Sequence, residues 1–224
     1  MFAASAQTAR GTDLRSPESA NLAGLVRTAE GQVTALTAQL STLQNSVTSL
    51  TDAAGQQNSA VADAQQAGAP LRVPAGLTAV TGPGIRVVLD DSHDIPAMMV
   101  GQQIDLNQLV VHQSDLQAVV NALWAGGAEA MTIAGQRVIA TSAVRCVGNT
   151  LLLNGRVFSP PFEVAAIGPF GTMRTAMDRS PAVTLYRQAA SYYGLGYTVE
   201  QINGMTLTAY AGSISLGYAK AASR

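Results

Sequence analysis

The run from Asp115 to Gly155, DLQAVVNALWAGGAEAMTIAGQRVIATSAVRCVGNTLLLNG, restricts the possible folds of this chain more than any other stretch. It reads as a helix, a Gly-bounded stop, a short strand and then two polar-interrupted strands. Leu116, Val119, Val120, Leu123 and Trp124 recur at helical spacing and form one apolar stripe, with Ser114 as the expected cap. Gly126-Gly127 stops that helix, and Ala130 to Ile133 reads as a short buried strand. Ser142 to Val147 and Leu151 to Leu153 flank Gly148-Asn149, a dipeptide suited to a tight hairpin.

The same alternation extends in both directions. Leu77 to Thr81 and Ile85 to Leu89 read as strands joined by a turn at Gly82-Pro83-Gly84. Asp90 to Asn107 has little periodicity and reads as a loop. Phe162 to Ile167 is a further strand, followed by helix over Gly171 to Met177 and again over Ala182 to Tyr193. Tyr197 to Gln201 and Met205 to Ala209 predict a last hairpin around Asn203-Gly204. The resulting order is strand, helix, strand, strand, helix, strand. That is the split βαβ arrangement, so the expected class is α+β: a ferredoxin-like head with extra hairpins.

A different pattern precedes the head. Between residues 18 and 51, Val26, Val33, Leu40 and Val47 recur every seven positions, with Ala29, Leu36, Leu43 and Leu50 in the companion register. Valine-rich positions alternating with leucine ones make the seam of a coiled coil and favour parallel dimers. Ser16 before Pro17 supplies a helix start. The flanks are Thr, Gln and Ser instead of Glu and Lys, so no ion pairs select the partner. From Asp52 to Gly68 the periodicity decays, and Pro70 and Pro74 end helical structure. Three regions are expected: a flexible start over 1–17, a coiled-coil helix and linker over 18–69, and an α+β domain over 70–224.

Composition excludes several classes of function. Charged residues make up 12% of the chain and the formal net charge is −1, which offers no basic field to a phosphate backbone. Nucleic acid is not an expected partner. One cysteine, Cys146, forms no internal disulfide. No run reaches the roughly 18 apolar residues of a membrane-spanning helix, and MFAASAQTAR is too short and polar for a complete secretory signal.

The segments GPGIRVVLDDS (82–92), VVHQSDLQAVVNALWAGGAEAMTIAGQRV (110–138), TSAVRCVGNTLLLNG (141–155) and PPFEVAAIG (160–168), taken in order, resemble the bacterial "domain of unknown function 881" family. The resemblance covers about residues 30 to 218. It implies an N-terminal membrane anchor, then a coiled coil, then an extracytoplasmic α+β domain, with a role in cell division or the cell envelope. Residues 1–17 then read as the remnant that follows such an anchor, and the expected location is a single-pass membrane protein with this segment outside the cytoplasm.

Among residues that could carry chemistry, Asp90, Asp91, His93 and Asp94 form the densest set of oxygen and nitrogen ligands. Their spacing matches no calcium loop, and a solvated strand end with Asp capping local amides is the preferred reading. No metal or cofactor is expected. His112, Asp115, Arg137 and Arg145 combine a helix start with guanidinium groups, which suits an anion such as a carboxylate or phosphate of a wall precursor. The competing reading pairs Arg137 and Arg145 with Asp115 or Glu129. Cys146 lies within a strand pattern and is expected as a small buried hydrophobe, although with His112 as base it could act as a nucleophile. Asn121 and Glu129 are explained by capping and turn formation. Met98-Met99 is expected to pack over the sheet. The Gly82–Gly84 and Gly126-Gly127 clusters lack the spacing of a phosphate loop.

Three functions of different class remain. The favoured one is a non-enzymatic interaction module that self-associates through Val26, Val33, Leu36, Leu40, Leu43, Val47 and Leu50 and binds an envelope or division protein. The alternative is a receptor for a small anionic wall component, and the third is a Cys- or metal-dependent enzyme. No catalytic residue is assigned.

Overall fold

A computed structural model describes residues 17–93, 105–147, 150–212 and 214. The chain divides into two compact units, Met1–Gln57 and Asn58–Arg224. The first consists, where described, of one helix, α1 (Pro17–Gln57). Its hydroxyl side chains fold back onto the carbonyls four residues earlier, as in Thr37 to Val33 at 2.7 Å and Thr51 to Val47 at 2.7 Å. Polar flanks are thereby satisfied with few charges. The heptad side chains have no packing partner within the unit: Leu36, Leu43 and Leu50 are 63%, 64% and 71% exposed.

Helix also continues where the sequence predicts fraying. Asn58 breaks α1 and starts α2 (Ser59–Gly68), its side-chain oxygen accepting from the Ala60 amide at 2.9 Å. A single turn of tighter helix over Ala69–Leu71 then carries Pro70 near its start.

The second unit is a mixed domain of helices and antiparallel sheet. Its strands and helices are β1 (Val80–Asp90), α3 (Gln113–Ala125), β2 (Ala130–Ile133), β3 (Gln136–Arg137), β4 (Val144–Val147), β5 (Thr150–Leu153), β6 (Arg156–Phe158), β7 (Phe162–Ile167), α4 (Phe170–Arg179), α5 (Pro181–Tyr193) and β8 (Gly196–Leu207). The main sheet has the order β3-β2-β7-β1-β8, and β4-β5-β6 form a second, small sheet. Each of β1 and β2 pairs antiparallel with β7. Alternation sends Ile85, Val87 and Leu89 of β1 to one face, where they pack with Leu116, Leu123, Met173, Met177, Val183 and Tyr186 of the three helices. Leu151 and Leu153 of the small sheet join the same core. On the other face Arg86 bridges Glu163 and Glu200 of the two neighbouring strands, each at 3.2 Å.

Two predicted hairpins are absent, and the structure gives one reason for both. β1 runs straight through Gly82-Pro83-Gly84, and β8 straight through Asn203-Gly204. In the ladder Gly82 faces Met205 and Gly84 faces Ile202, so β8 bulges there, with Asn203-Gly204 standing opposite the single residue Pro83. A bulge accommodates a residue without an N–H, so proline there interrupts the ladder without ending it. Gly84 has a second constraint: a Cβ on it would run into the carbonyl oxygen of Ala166 on β7.

Other expectations shift slightly. α3 starts two residues early, with His112 and not Ser114 at its cap, because the Asp115 carboxylate accepts from the His112 amide at 2.9 Å. Ser180 caps α5, its hydroxyl accepting from Val183, and Gly194 ends it with φ of 77°. The predicted pair around residues 148 and 149 forms as β4 and β5, with Val147 opposite Thr150; Gly148 and Asn149 lie outside the described residues.

Candidate functional site: an arginine-floored cleft

Arg137 closes the β2–β3 hairpin opposite Thr132. It is 4% exposed, and among the described residues it joins no ion pair. Its Nη1 donates to the carbonyl oxygens of Thr78 and Thr208, each at 3.2 Å, while its Nε has no hydrogen-bond partner. Thr78 precedes β1 and Thr208 follows β8, so one guanidinium clasps the two chain segments that enter and leave the sheet. Burial lowers its pKa, since taking the cation from water favours the neutral form. The pairing expected for Arg137 with Asp115 or Glu129 is not formed.

Arg137 lies in the wall of a cleft of about 450 Å³. Val120, Asn121 and Trp124 of α3 line it on one side, and Glu129, Ile139 and Ser142 lie around it. Trp124, read from sequence as part of the core stripe, is 40% exposed. It stands in the last turn of α3, two residues before the cap Gly126. Beyond Val120 and Val138 lies a second cavity of about 260 Å³, bounded by Leu116, Ile133, Val144 and Leu153. Gln117, Val120, Val138 and Ser142 border both.

The other members of the proposed anion group are placed elsewhere. His112 and Asp115 line a cavity of about 280 Å³ with Tyr186, Tyr193 and Leu195, with His112 Nδ1 3.6 Å from the Asp115 carboxylate. Arg145 is exposed on β4. Thus Arg137 does not share a cavity with His112 and Asp115. Tyr186, not singled out from sequence, is 2% exposed and donates to the Gly196 carbonyl at 2.9 Å. Burial first, and then the Asp115, Asp91 and Asp90 carboxylates, hold its phenol far above the ordinary range.

Cys146 corrects an expectation: it is exposed, not buried. Only its backbone amide is held, by the Gln113 side-chain oxygen at 3.2 Å. It lies on β4, an edge strand of the small sheet, beside the exposed Arg145. Asp90 and Asp91 act as turn carboxylates. Asp90 accepts from the Asp91 amide and lies 2.9 Å from His93 Nε2, while Asp91 accepts from Val111 at 2.8 Å. Among the described residues no group of three or more potential ligands could hold a metal ion. Asp94, Met98 and Met99 lie outside them.

The head is thus an α+β domain whose cleft holds a buried arginine near an exposed indole. The chain belongs to the family described as "Bacterial protein of unknown function (DUF881)", whose model matches residues 69–220. It is 31% identical over 198 residues to UPF0749 protein Rv1823 of Mycobacterium tuberculosis (strain ATCC 25618 / H37Rv), covering 85% of this chain and 62% of that protein. To UPF0749 protein YlxW of Bacillus subtilis (strain 168) it is 36% identical over 97 residues, covering 43% and 40% of the two chains. The chain therefore spans about 62% of the length of the mycobacterial relative. Among solved structures, one titled "Crystal structure of an uncharacterized conserved protein from Mycobacterium tuberculosis" superposes with a TM-score of 0.51 at 26% identity, covering 69% of this chain and 99% of that one. Among the described residues no helix is long and apolar enough to cross a membrane.

Proposed function

We propose that this chain is a non-catalytic, extracytoplasmic interaction module of a membrane-anchored protein, acting in cell division or envelope biogenesis. In this reading α1 pairs with α1 of a second copy, and the head docks an envelope or division protein. The observation that carries it is the unbroken row of exposed apolar side chains on α1. Val26, Val33, Leu40 and Val47, with Leu36, Leu43 and Leu50, are all at least 36% exposed in the single chain. Rows of Val and Leu repeated every seven residues are complementary to themselves, so a second copy is the occupant that the pattern fits. The strand order β2-β7-β1-β8, with α3 linking β1 to β2 and helices linking β7 to β8, supports the ferredoxin-like reading of the head. That fold hosts many functions and adds no activity by itself.

Sedimentation equilibrium tests the stem. The native chain should run at twice its formula mass, and Leu36→Asp with Leu43→Asp should run at the formula mass with unchanged near-ultraviolet dichroism. A native chain that stays monomeric at high micromolar concentration would overturn the pairing. Fractionation and external proteolysis of intact cells producing the whole gene product test the location. A product confined to the cytosol would remove the envelope role.

A further inference from the structure

The Arg137 cleft has features that clasping two carbonyls does not require. A neutral amide could hold Thr78 and Thr208; a guanidinium brings a charge and further donors, and the charge has no counter-ion among the described residues. We propose that this cleft binds a monocarboxylate carrying an apolar body, with Arg137 as the counter-ion.

The lining fits that chemistry. Carboxylates are recognised by the fork of a guanidinium together with neutral donors. Ser142 accepts from the Ile139 amide through its oxygen, which leaves its hydroxyl hydrogen to donate. Asn121 accepts from Gln117 through Oδ1, which leaves its side-chain nitrogen to donate. Glu129 stands in the same cleft, unpaired with Arg137, and disfavours a dianion such as a phosphate monoester. The cleft offers one cation, and beside Glu129 a second negative charge on the ligand meets added repulsion with no further cation among the lining residues to offset it. The exposed face of Trp124 and the side chain of Val120 offer an apolar bed, which continues into the adjoining cavity walled by Leu116 and Leu153. The main cleft lies within the range of small-molecule sites.

Trp124 is the sole tryptophan of the chain, so its emission reports this cleft alone. The whole chain is titrated with 3-phenylpropionate, with its neutral amide and with phenyl phosphate. The tripeptide Ala-Ala-Phe, with a free or amidated C-terminus, separates a small acid from a chain end as the source of the carboxylate. The expected result is a saturable change in Trp124 emission with 3-phenylpropionate or the free-ended peptide. The amides and phenyl phosphate should bind at least tenfold more weakly. Arg137→Lys keeps the charge but loses the fork, and should weaken binding about tenfold. Since Arg137 also clasps backbone, the surface change Glu129→Gln provides a second arm: it should leave dichroism unchanged and bring phenyl phosphate within a few-fold of the carboxylate. Equal binding of acid and amide, or no saturable change with any carboxylate at millimolar concentration, would overturn the proposal.

Discussion

Replacing Tyr186 with Phe removes one oxygen from the core, and its effect should depend on pH in a way that geometry dictates. At pH 7 the change deprives the Gly196 carbonyl of a donor at 2.9 Å in a setting where Tyr186 is 2% exposed. The expected loss is about 1.5 kcal/mol, between a net hydrogen bond and the full desolvation of an orphaned acceptor. Alkali narrows the gap. In the unfolded chain a tyrosine ionises near pH 10, whereas in the folded chain burial and the Asp115, Asp91 and Asp90 carboxylates hold the phenol well above that. The folded pKa is raised, so this contribution is complete below pH 10 and is lost as pH rises beyond it. The native protein therefore loses about 1.4 kcal/mol by pH 11 through this group, and the Phe variant loses none of it. Tyr197, whose phenol burial also raises, is present in both proteins and cancels. Urea denaturation followed by far-ultraviolet dichroism at pH 7, 9 and 11 should show the two proteins converging. A gap that stays constant from pH 7 to pH 11 would refute the assignment of Tyr186 as a buried, proton-retaining phenol.

Two further changes test the packing. Trp124→Ala should cost about 1–2 kcal/mol, because much of the ring already faces water and its removal opens a groove instead of a sealed void; chemical denaturation showing about 3–5 kcal/mol would place the ring in the core. Gly84→Ala should cost about 2–3 kcal/mol, since the added Cβ meets the Ala166 carbonyl and β1 and β7 must part. Gly82→Ala, whose Cβ meets the Ile167 side chain at 2.9 Å, should cost less by thermal melting; equal losses would mean the sheet is looser than its register implies.

Where one physical signal acts alone, the sequence was readable. Phe162 to Ile167 and Ala130 to Ile133 are apolar runs bounded by clear breakers, and both strands form within those limits. Gly82-Pro83-Gly84 and Asn203-Gly204 carry equally strong turn chemistry, yet each faces the other across a ladder. A bulge and a turn draw on the same residues, and only the partner strand separates them. Trp124 fits the apolar stripe of α3 by spacing yet is 40% exposed, because periodicity holds no record of where a neighbour's cover ends. Cys146 was misplaced for a related reason: Val144, on the same face by alternation, packs against the core, but the cover stops short of Cys146 two residues on. Arg137 was visible as a candidate, whereas its isolation from Asp115 follows from chain paths that local patterns do not encode. Tyr186 falls within the predicted helix from Ala182 to Tyr193, and no local pattern singled it out.

The antiparallel ladder of β1 and β8 sets Val80 beside Leu207, so the chain comes into the head and departs from it at the same end of adjacent strands. Tension applied to the segments just before β1 and just after β8 would thus peel the ladder rung by rung and not shear all its rungs together. Outermost stands the hydrogen bond from the Tyr210 amide to the Gly76 carbonyl at 2.8 Å, and next the Arg137 guanidinium, gripping Thr78 on the incoming side and Thr208 on the outgoing one. A head pulled at these two points would yield from the clasp inward, before the helices behind it feel the pull.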